Sequence, residues 1–518
     1  MALSSPEGSR PPAIELLGID KRFGAVQANR AVSMRVPRGS VTGIVGENGA
    51  GKSTLMSILY GFYRADAGEI RIDGRRVEIA SSQDAIAAGI GMVHQHFMLV
   101  ETFSVLENVM LGAEGGAMLA AGAEATRAEL ARLDREYGLR VDPDAIVGDL
   151  PVGDQQRVEI LKALCRGAEI LILDEPTGVL TPQETDQLFR ILATLRARGT
   201  TILLITHKLR EIMAATDLVF VMRGGEVVAE RKTAETTAEE LAELMVGRKV
   251  RFAVEKSARA GGEALLVARD LTVVDERGVK TLDHASFELR AGEIVGVAGV
   301  SGNGQSELLE VLSGIRAPTS GTLRLLGREV DAARPCGPDA MRALGLAHVP
   351  EDRHRLGMVG AFAAAESAIL GYQRDPAYCG AVAIDNAEVA RRAGLLMERF
   401  DVRPRAPGLR SAAFSGGNQQ KLILARELAR EPRIVLAGQP TRGLDIGAIE
   451  FVHRRLIERR DAGAAVLLVS AELDEILSLS DRILVMFEGR IVGELPAAEA
   501  DERKLGLLMA NVRPEIAA

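Results

Sequence analysis

Gly46-Glu47-Asn48-Gly49-Ala50-Gly51-Lys52-Ser53 is the stretch on which the reading of this chain turns. Its glycines let backbone N–H groups approach and encircle phosphate oxygens. Val41 to Val45 before it is a short β-type run, and Ser53 to Tyr60 after it is helical in pattern. A loop between strand and helix adds the positive end of the helix dipole to an anion site. In that setting Lys52 would reach the β- and γ-phosphates of a nucleotide, and the Ser53 hydroxyl would ligate Mg²⁺.

Working outward, the same loop returns as Gly299-Val300-Ser301-Gly302-Asn303-Gly304-Gln305-Ser306, with Gln305 in place of the lysine. Val152-Gly153-Asp154-Gln155-Gln156 recurs as Ser415-Gly416-Gly417-Asn418-Gln419-Gln420, and Ile170 to Leu173 recurs as Ile434 to Ala437. Motif order is kept, so the chain is a tandem duplication of a domain of about 240 residues rather than a short-period solenoid. The expected organisation is a tail at 1–12, a first domain at 13–248, a linker at 249–263, a second domain at 264–511 and a tail at 512–518. The linker is polar, contains glycine and has no periodicity.

Composition agrees. A chain of 518 residues with 47% hydrophobic content exceeds one compact core. A net charge of −8 provides no global basic field to draw the chain to nucleic acid or anionic lipid. Cys165, Cys336 and Cys379 have no zinc or disulfide spacing and read as reduced cytosolic thiols. No apolar run approaches the ~20 residues that span a bilayer. The polar N-terminus lacks a signal pattern, so any membrane role is expected through a partner.

Ile170 to Leu173 and Thr201 to Ile205 are buried-strand runs that end in Asp174-Glu175 and Thr206-His207. Polar groups at the carboxyl ends of buried strands mark a nucleotide-binding α/β sheet. Asp174 is placed to hold Mg²⁺, and Glu175 to orient or deprotonate an attacking water. Gln95 fits either Mg²⁺ or that water through its amide oxygen, or else an ordinary surface position. His207 fits a catalytic role or simple hydrogen bonding. Phe23 fits stacking on adenine or a core position. Ala120 to Glu136 and Ala387 to Phe400 predict a helical subdomain in each half.

Together these blocks resemble the ATP-binding-cassette (ABC) ATPases: Walker A at Gly46 to Ser53, Q-loop at Gln95, signature at Val152 to Gln156 and Ser415 to Gln419, Walker B at Ile170 to Glu175, switch histidine at His207. The resemblance runs from about Ile14 to Met509. It implies an α/β fold of two tandem P-loop cassettes, each a RecA-like core with a β-rich edge and a helical subdomain. It also implies ATP and Mg²⁺ as cofactors, with catalysis by Glu175, His207 and Gln95. The nucleotide contacts it implies are Phe23, Gly46, Glu47, Asn48, Gly49, Ala50, Gly51, Lys52, Ser53, Thr54 and Asp174, with Ser415, Gly416, Gly417, Asn418 and Gln419 supplied by the facing cassette. The metal contacts are Ser53, Gln95 and Asp174.

In the second half, Gln305 replaces the lysine, Gly438-Gln439 replaces Asp-Glu, Glu351 takes the Q-loop position and Ala471 that of the histidine. The opposing signature begins with Val152 instead of serine, and no aromatic occurs from Leu265 to Ser286. The second site is therefore expected to hydrolyse ATP slowly or not at all, and to serve to hold nucleotide or to dimerise. Fused cassettes of this asymmetric kind resemble the energising subunits of bacterial importers of simple sugars and nucleosides. The blocks Met92 to Leu99, Leu150 to Gly153, Gly302 to Ser306 and Gln439 to Asp445 are most similar to the nucleoside branch, which works with basic-membrane-lipoprotein binding proteins. The implied partners are two integral-membrane permeases and, indirectly, an extracytoplasmic solute-binding protein, with no nucleic acid. The implied location is the cytoplasmic face of the membrane. Simple-sugar import, export and a soluble tandem cassette of the translation-factor type are the alternatives. A DNA-repair cassette would need zinc-type cysteine clusters or a long coiled-coil insertion, and this sequence has neither. Glu351 to Arg355 reads as a solvated loop or a contact surface.

Overall fold

The computed structural model describes residues 11–24, 26–94, 97–112, 119–178, 180, 182–206, 208–249, 256, 261–300, 302–379 and 383–511. The chain divides into two compact units, Met1–Val250 and Arg251–Ala518.

The first unit builds two sheets from β1 (Ile14–Phe23), β2 (Val26–Val36), β3 (Val41–Gly46), β4 (Ala67–Ile72), β5 (Arg75–Val77), β6 (Ile90–Val93), β7 (Ile170–Asp174), β8 (Thr201–Ile205), β9 (Leu218–Arg223) and β10 (Glu226–Lys232). An antiparallel sheet has the order β2-β1-β4-β5, and the central sheet has the order β10-β9-β3-β8-β7-β6. The central sheet is parallel except for the β9–β10 hairpin at its edge. Within β7 and β8, Ile170 to Leu173 and Ile202 to Ile205 read as unbroken apolar runs because both of their faces are covered. Ile170, Ile172, Leu203 and Ile205 face the core shared with β1, β2 and the helix Lys52–Leu59. Leu171, Leu173, Ile202 and Leu204 face the opposite core, with Val158 and Leu161 of the helix Val152–Cys165. The period-2 geometry of a strand makes this division automatic. Each such buried side chain contributes roughly 1.5–3 kcal/mol.

The second unit repeats the plan with β11 (Ala264–Val274), β12 (Lys280–Arg290), β13 (Ile294–Ala298), β14 (Ser320–Leu325), β15 (Arg328–Asp331), β16 (Leu346–Val349), β17 (Ile434–Gly438), β18 (Ala465–Val469), β19 (Arg482–Phe487) and β20 (Arg490–Pro496). Its sheets run β12-β11-β14-β15 and β20-β19-β13-β18-β17-β16, strand for strand the order of the first unit. The helices expected at Ala120 to Glu136 and Ala387 to Phe400 are Leu119–Tyr137 and Asn386–Arg399. The latter starts where the Asp385 carboxylate accepts the N–H groups of Ala387 and Glu388. In the expected linker, Lys256 donates to the Ser480 carbonyl at 2.7 Å. The rest of 249–260 beyond Lys249, with residues 1–10 and 512–518 of the expected tails, lies outside the described residues. Among the described residues, no helix is long and apolar enough to cross a membrane.

Candidate functional site

All parallel strands of a central sheet end on the same edge, so loops far apart in sequence converge there. In the first unit β3 ends at Gly46 and the helix Lys52–Leu59 starts after Gly51. Gly51 has φ 97°, and a Cβ there would lie 2.3 Å from the Ala28 carbonyl oxygen of β2. Its glycine is therefore required twice, by the left-handed backbone and by the close approach. Asn29 of β2, fully buried, donates its side-chain N–H to the Gly51 carbonyl at 3.1 Å and braces the loop from below.

Lys52 is only 6% exposed. Its Nζ donates to the carbonyls of Gly46 at 2.7 Å and Glu47 at 3.1 Å, spanning the loop. Burial lowers its pKa, opposed by the carboxylates of Glu175, Asp174 and Glu47. Ser53 is exposed on the next residue, and Thr54 is half-buried beside it. The Ser53 hydroxyl is hydrogen-bonded to the Asp174 carboxylate at the end of β7. Asp174 has its pKa raised by burial and by Glu175, and lowered by Lys52 and by Ser53. The structure thus brings the loop, its lysine, its serine and the β7 acid together.

Glu175 has φ 48°, unusual for a side chain with a Cβ, and its N–H donates to the Ile205 carbonyl at 2.8 Å. This turns the chain out of β7 at the sheet edge. Glu211 sits behind it, 7% exposed. It accepts from the Thr177 hydroxyl and, at 2.9 Å, from the Thr206 hydroxyl. Thr177 follows Glu175 and Thr206 precedes His207, so one buried carboxylate ties the two strand exits together. Gln95 and His207 themselves lie outside the described residues. Phe23 is 41% exposed, edge-on to Tyr63 at 5.1 Å with the Lys21 ammonium 5.4 Å from its ring, so the core alternative falls.

In the second unit the same places carry other chemistry. Gln305 is buried and donates to the Val300 carbonyl at 3.1 Å. Gln439 repeats the backbone of Glu175, with φ 44° and its N–H on the Val469 carbonyl at 2.7 Å. Its side-chain oxygen accepts from the Ala471 N–H at 3.1 Å. Ser415 stands at the start of the helix Gly416–Leu428 without a side-chain cap hydrogen bond to its backbone. Its hydroxyl accepts from the Asn418 amide at 2.9 Å, while Asn418 accepts from the Arg403 N–H at 2.6 Å and Gln419 donates to the Ser411 carbonyl at 3.1 Å. Glu351 to Arg355 is more than a solvated loop. Arg353–Gly357 forms one π-helical turn, its start held by Asp352, which accepts from His354 and Arg355. The Arg353 guanidinium lies against Gly416, where a Cβ would be 2.8 Å away. In the first unit, by contrast, the Gly153 N–H already donates to the Glu184 carboxylate at 3.2 Å.

Asn29, Glu211, Glu184 and Arg353 are not evident from the motifs. The one sequence signal is a polar residue inside an otherwise apolar or motif-bearing stretch, and that does not name its partner.

Two α/β units, each with a glycine loop at the sheet edge and a glycine-started helix beyond it, define a nucleotide-binding cassette pair. The ABC transporter family matches residues 29–178 and 282–442, and the chain belongs to that family. It is 47% identical to the guanosine import ATP-binding protein NupO of Bacillus subtilis over 96% of this chain and 97% of that one. It is 44% identical to the nucleoside import ATP-binding protein NupA of Lactococcus lactis (96% and 98%) and 44% identical to the glucose import ATP-binding protein TsgD13 of Haloferax volcanii (97% and 96%).

Proposed function

We propose that this chain is the ATP-hydrolysing subunit of an importer for nucleosides, with 13–248 the hydrolytic cassette, 249–263 a linker and 264–511 a second, non-hydrolytic cassette. The observation that carries it is the inequality of the two sheet edges. One holds Lys52, a Ser53–Asp174 pair and Glu175; the other holds Gln305, Gly438, Gln439 and Ala471. The relatives named as guanosine and nucleoside import proteins support the nucleoside choice. The glucose import relative keeps simple sugars as the second reading.

In this reading the backbone N–H groups of Gly46 to Ser53 and the Lys52 ammonium hold the ATP phosphates. Phe23 offers an exposed ring face to the base. Mg²⁺ fits the donor set, a serine hydroxyl paired with one carboxylate, because this ion usually takes few protein oxygens plus substrate phosphates. Held there, it would supply countercharge to the transferring phosphoryl group. Glu175 orients the attacking water and accepts its proton. Gln95 and His207 would supply further contacts to the attacking water and the γ-phosphate, and Gln95 to the metal. Ser415, Gly416, Gly417, Asn418 and Gln419 are further nucleotide contacts, with the Arg353 cation beside them.

Coupling requires partners. A groove at the end of β6 is lined by Tyr60, Phe62, Met92, His94, Met98 and Lys162, with Phe62 and Met98 more than half exposed. Glu159 and Arg166 also line it, and an exposed groove of mixed apolar and charged lining suits a helix of an integral-membrane permease. Two permeases, an extracytoplasmic solute-binding protein and a position on the cytoplasmic membrane face complete the assignment.

Uptake of labelled guanosine and labelled ribose is to be measured in source cells carrying the native chain or Lys52→Ala. Loss of guanosine uptake alone supports the assignment. Loss of ribose uptake alone moves it to sugars. Loss of neither defeats the import reading for both.

A further inference from the structure

In the second unit a carboxylate stands where the first has an amide, and a glycine where the first has a carboxylate. Glu351 follows β16 and Gly438 ends β17, the neighbouring strand. The Ser306 hydroxyl, one residue into the helix Gln305–Leu312, donates to Glu351 Oε2 at 2.6 Å. In the first unit the partner of the corresponding Ser53 is Asp174, on the strand end that Gly438 occupies here.

The glycine is what admits this arrangement. A Cβ at Gly438 would lie 2.6 Å from Glu351 Cγ and 2.7 Å from Leu309 Cδ1. An aspartate at 438 and Glu351 in its present position exclude each other. The two substitutions, carboxylate out at 438 and carboxylate in at 351, are halves of one exchange that keeps an acid on the loop serine. The anion cradle is also kept: Gly302 and Gly304 have φ 90° and 96°, against 83° and 97° for Gly49 and Gly51.

We propose that the second glycine loop binds a nucleoside triphosphate through a Mg²⁺ ion held by Ser306 and Glu351, the metal carboxylate having moved from the end of β17 to the end of β16. With no lysine in the loop, the metal carries a larger share of the countercharge, so binding is steeply metal-dependent. Gln439 has no carboxylate to accept a proton from water, and its amide oxygen is engaged by Ala471. The second site therefore retains its nucleotide uncleaved. None of this depends on which solute is imported, because the test reads bound nucleotide rather than transport.

The test uses the full-length chain carrying Lys52→Ala, radiolabelled ATP and equilibrium dialysis, with Mg²⁺ or with EDTA. ATP is expected to bind with Mg²⁺ and to weaken at least about tenfold in EDTA. Adding Glu351→Gln, which keeps the shape, is expected to bring affinity in Mg²⁺ down to the EDTA level. A Lys52→Ala chain that binds no ATP overturns the proposal, as does a folded Glu351→Gln variant that keeps its full metal dependence. Photolabelling of the Lys52→Ala chain with an azido-ATP covers the case of a variant that does not fold. Label on peptides from 264–511 that requires Mg²⁺ supports the site, and label confined to 13–248 overturns it.

Discussion

At the scale of single residues, Glu175 and Gln439 are the sharpest comparison the molecule offers. Both have a positive φ, and both hang their N–H on the last carbonyl of the neighbouring strand. They differ in whether the side chain can take a proton. Glu175→Gln is accordingly expected to lower ATP turnover by about 10²–10⁴ while ATP affinity changes less than threefold, read by phosphate release and by dialysis. Turnover within tenfold of native would show that another group is the base. Phe23 makes a second test. Because it is partly exposed and touches Tyr63 and Lys21, Phe23→Ala is expected to cost about 0.5–1.5 kcal/mol of stability, too little to unfold the unit. Stacking on a base contributes ~1–3 kcal/mol, so the ATP dissociation constant is expected to rise at least about fivefold. An unchanged affinity removes Phe23 from the site.

At the scale of elements, the central strands were legible because their apolar runs serve two cores at once. Ile170 to Leu173, Thr201 to Ile205 and Ile434 to Ala437 all became strands of the central sheets. His348 shows what a strand position can conceal. It lies within β16, its Nε2 has no hydrogen-bond partner, and burial pushes its pKa down to about 4, with Glu427 opposing and Arg342 and Arg426 adding to the shift. The folded value is below the unfolded ~6.5, so on acidification the unfolded chain takes up the proton first. Stability is therefore full near neutral pH and falls as pH drops from about 6.5 towards 4. The expected loss between pH 7 and pH 5 is about 2 kcal/mol from this group. Chemical denaturation of native and His348→Leu chains at both pH values checks it; a His348→Leu chain with the same acid sensitivity as native refutes the assignment.

At the scale of the whole molecule, two units with one strand order carry unequal chemistry. The chain has a net charge of −8 and a sequence pI near 5.7. A protein with this balance gains little from the counterion release that drives binding to polyanions. ATP turnover is expected to change less than twofold when RNA or DNA is added near 0.15 M salt, and a larger stimulation would favour a soluble nucleic-acid-associated cassette instead.

The amino-acid sequence by itself determined the duplication, the α/β class, the loop, the acids after the buried strands and the loss of lysine, acid and histidine in the second half. These are local signals: a glycine spacing, an apolar run, a residue type at its end. Tertiary structure alone decided that Phe23 is exposed, that Glu211 joins two strand exits and that Asn29 braces Gly51. It also decided that Arg353 lies on Gly416, and that Glu351 fills the room left by Gly438 and takes up Ser306. Each of these is a contact between residues on different strands or helices. The partner of a side chain depends on which strand ends meet at one sheet edge, and the pairing of strands is a long-range outcome that no local spacing encodes.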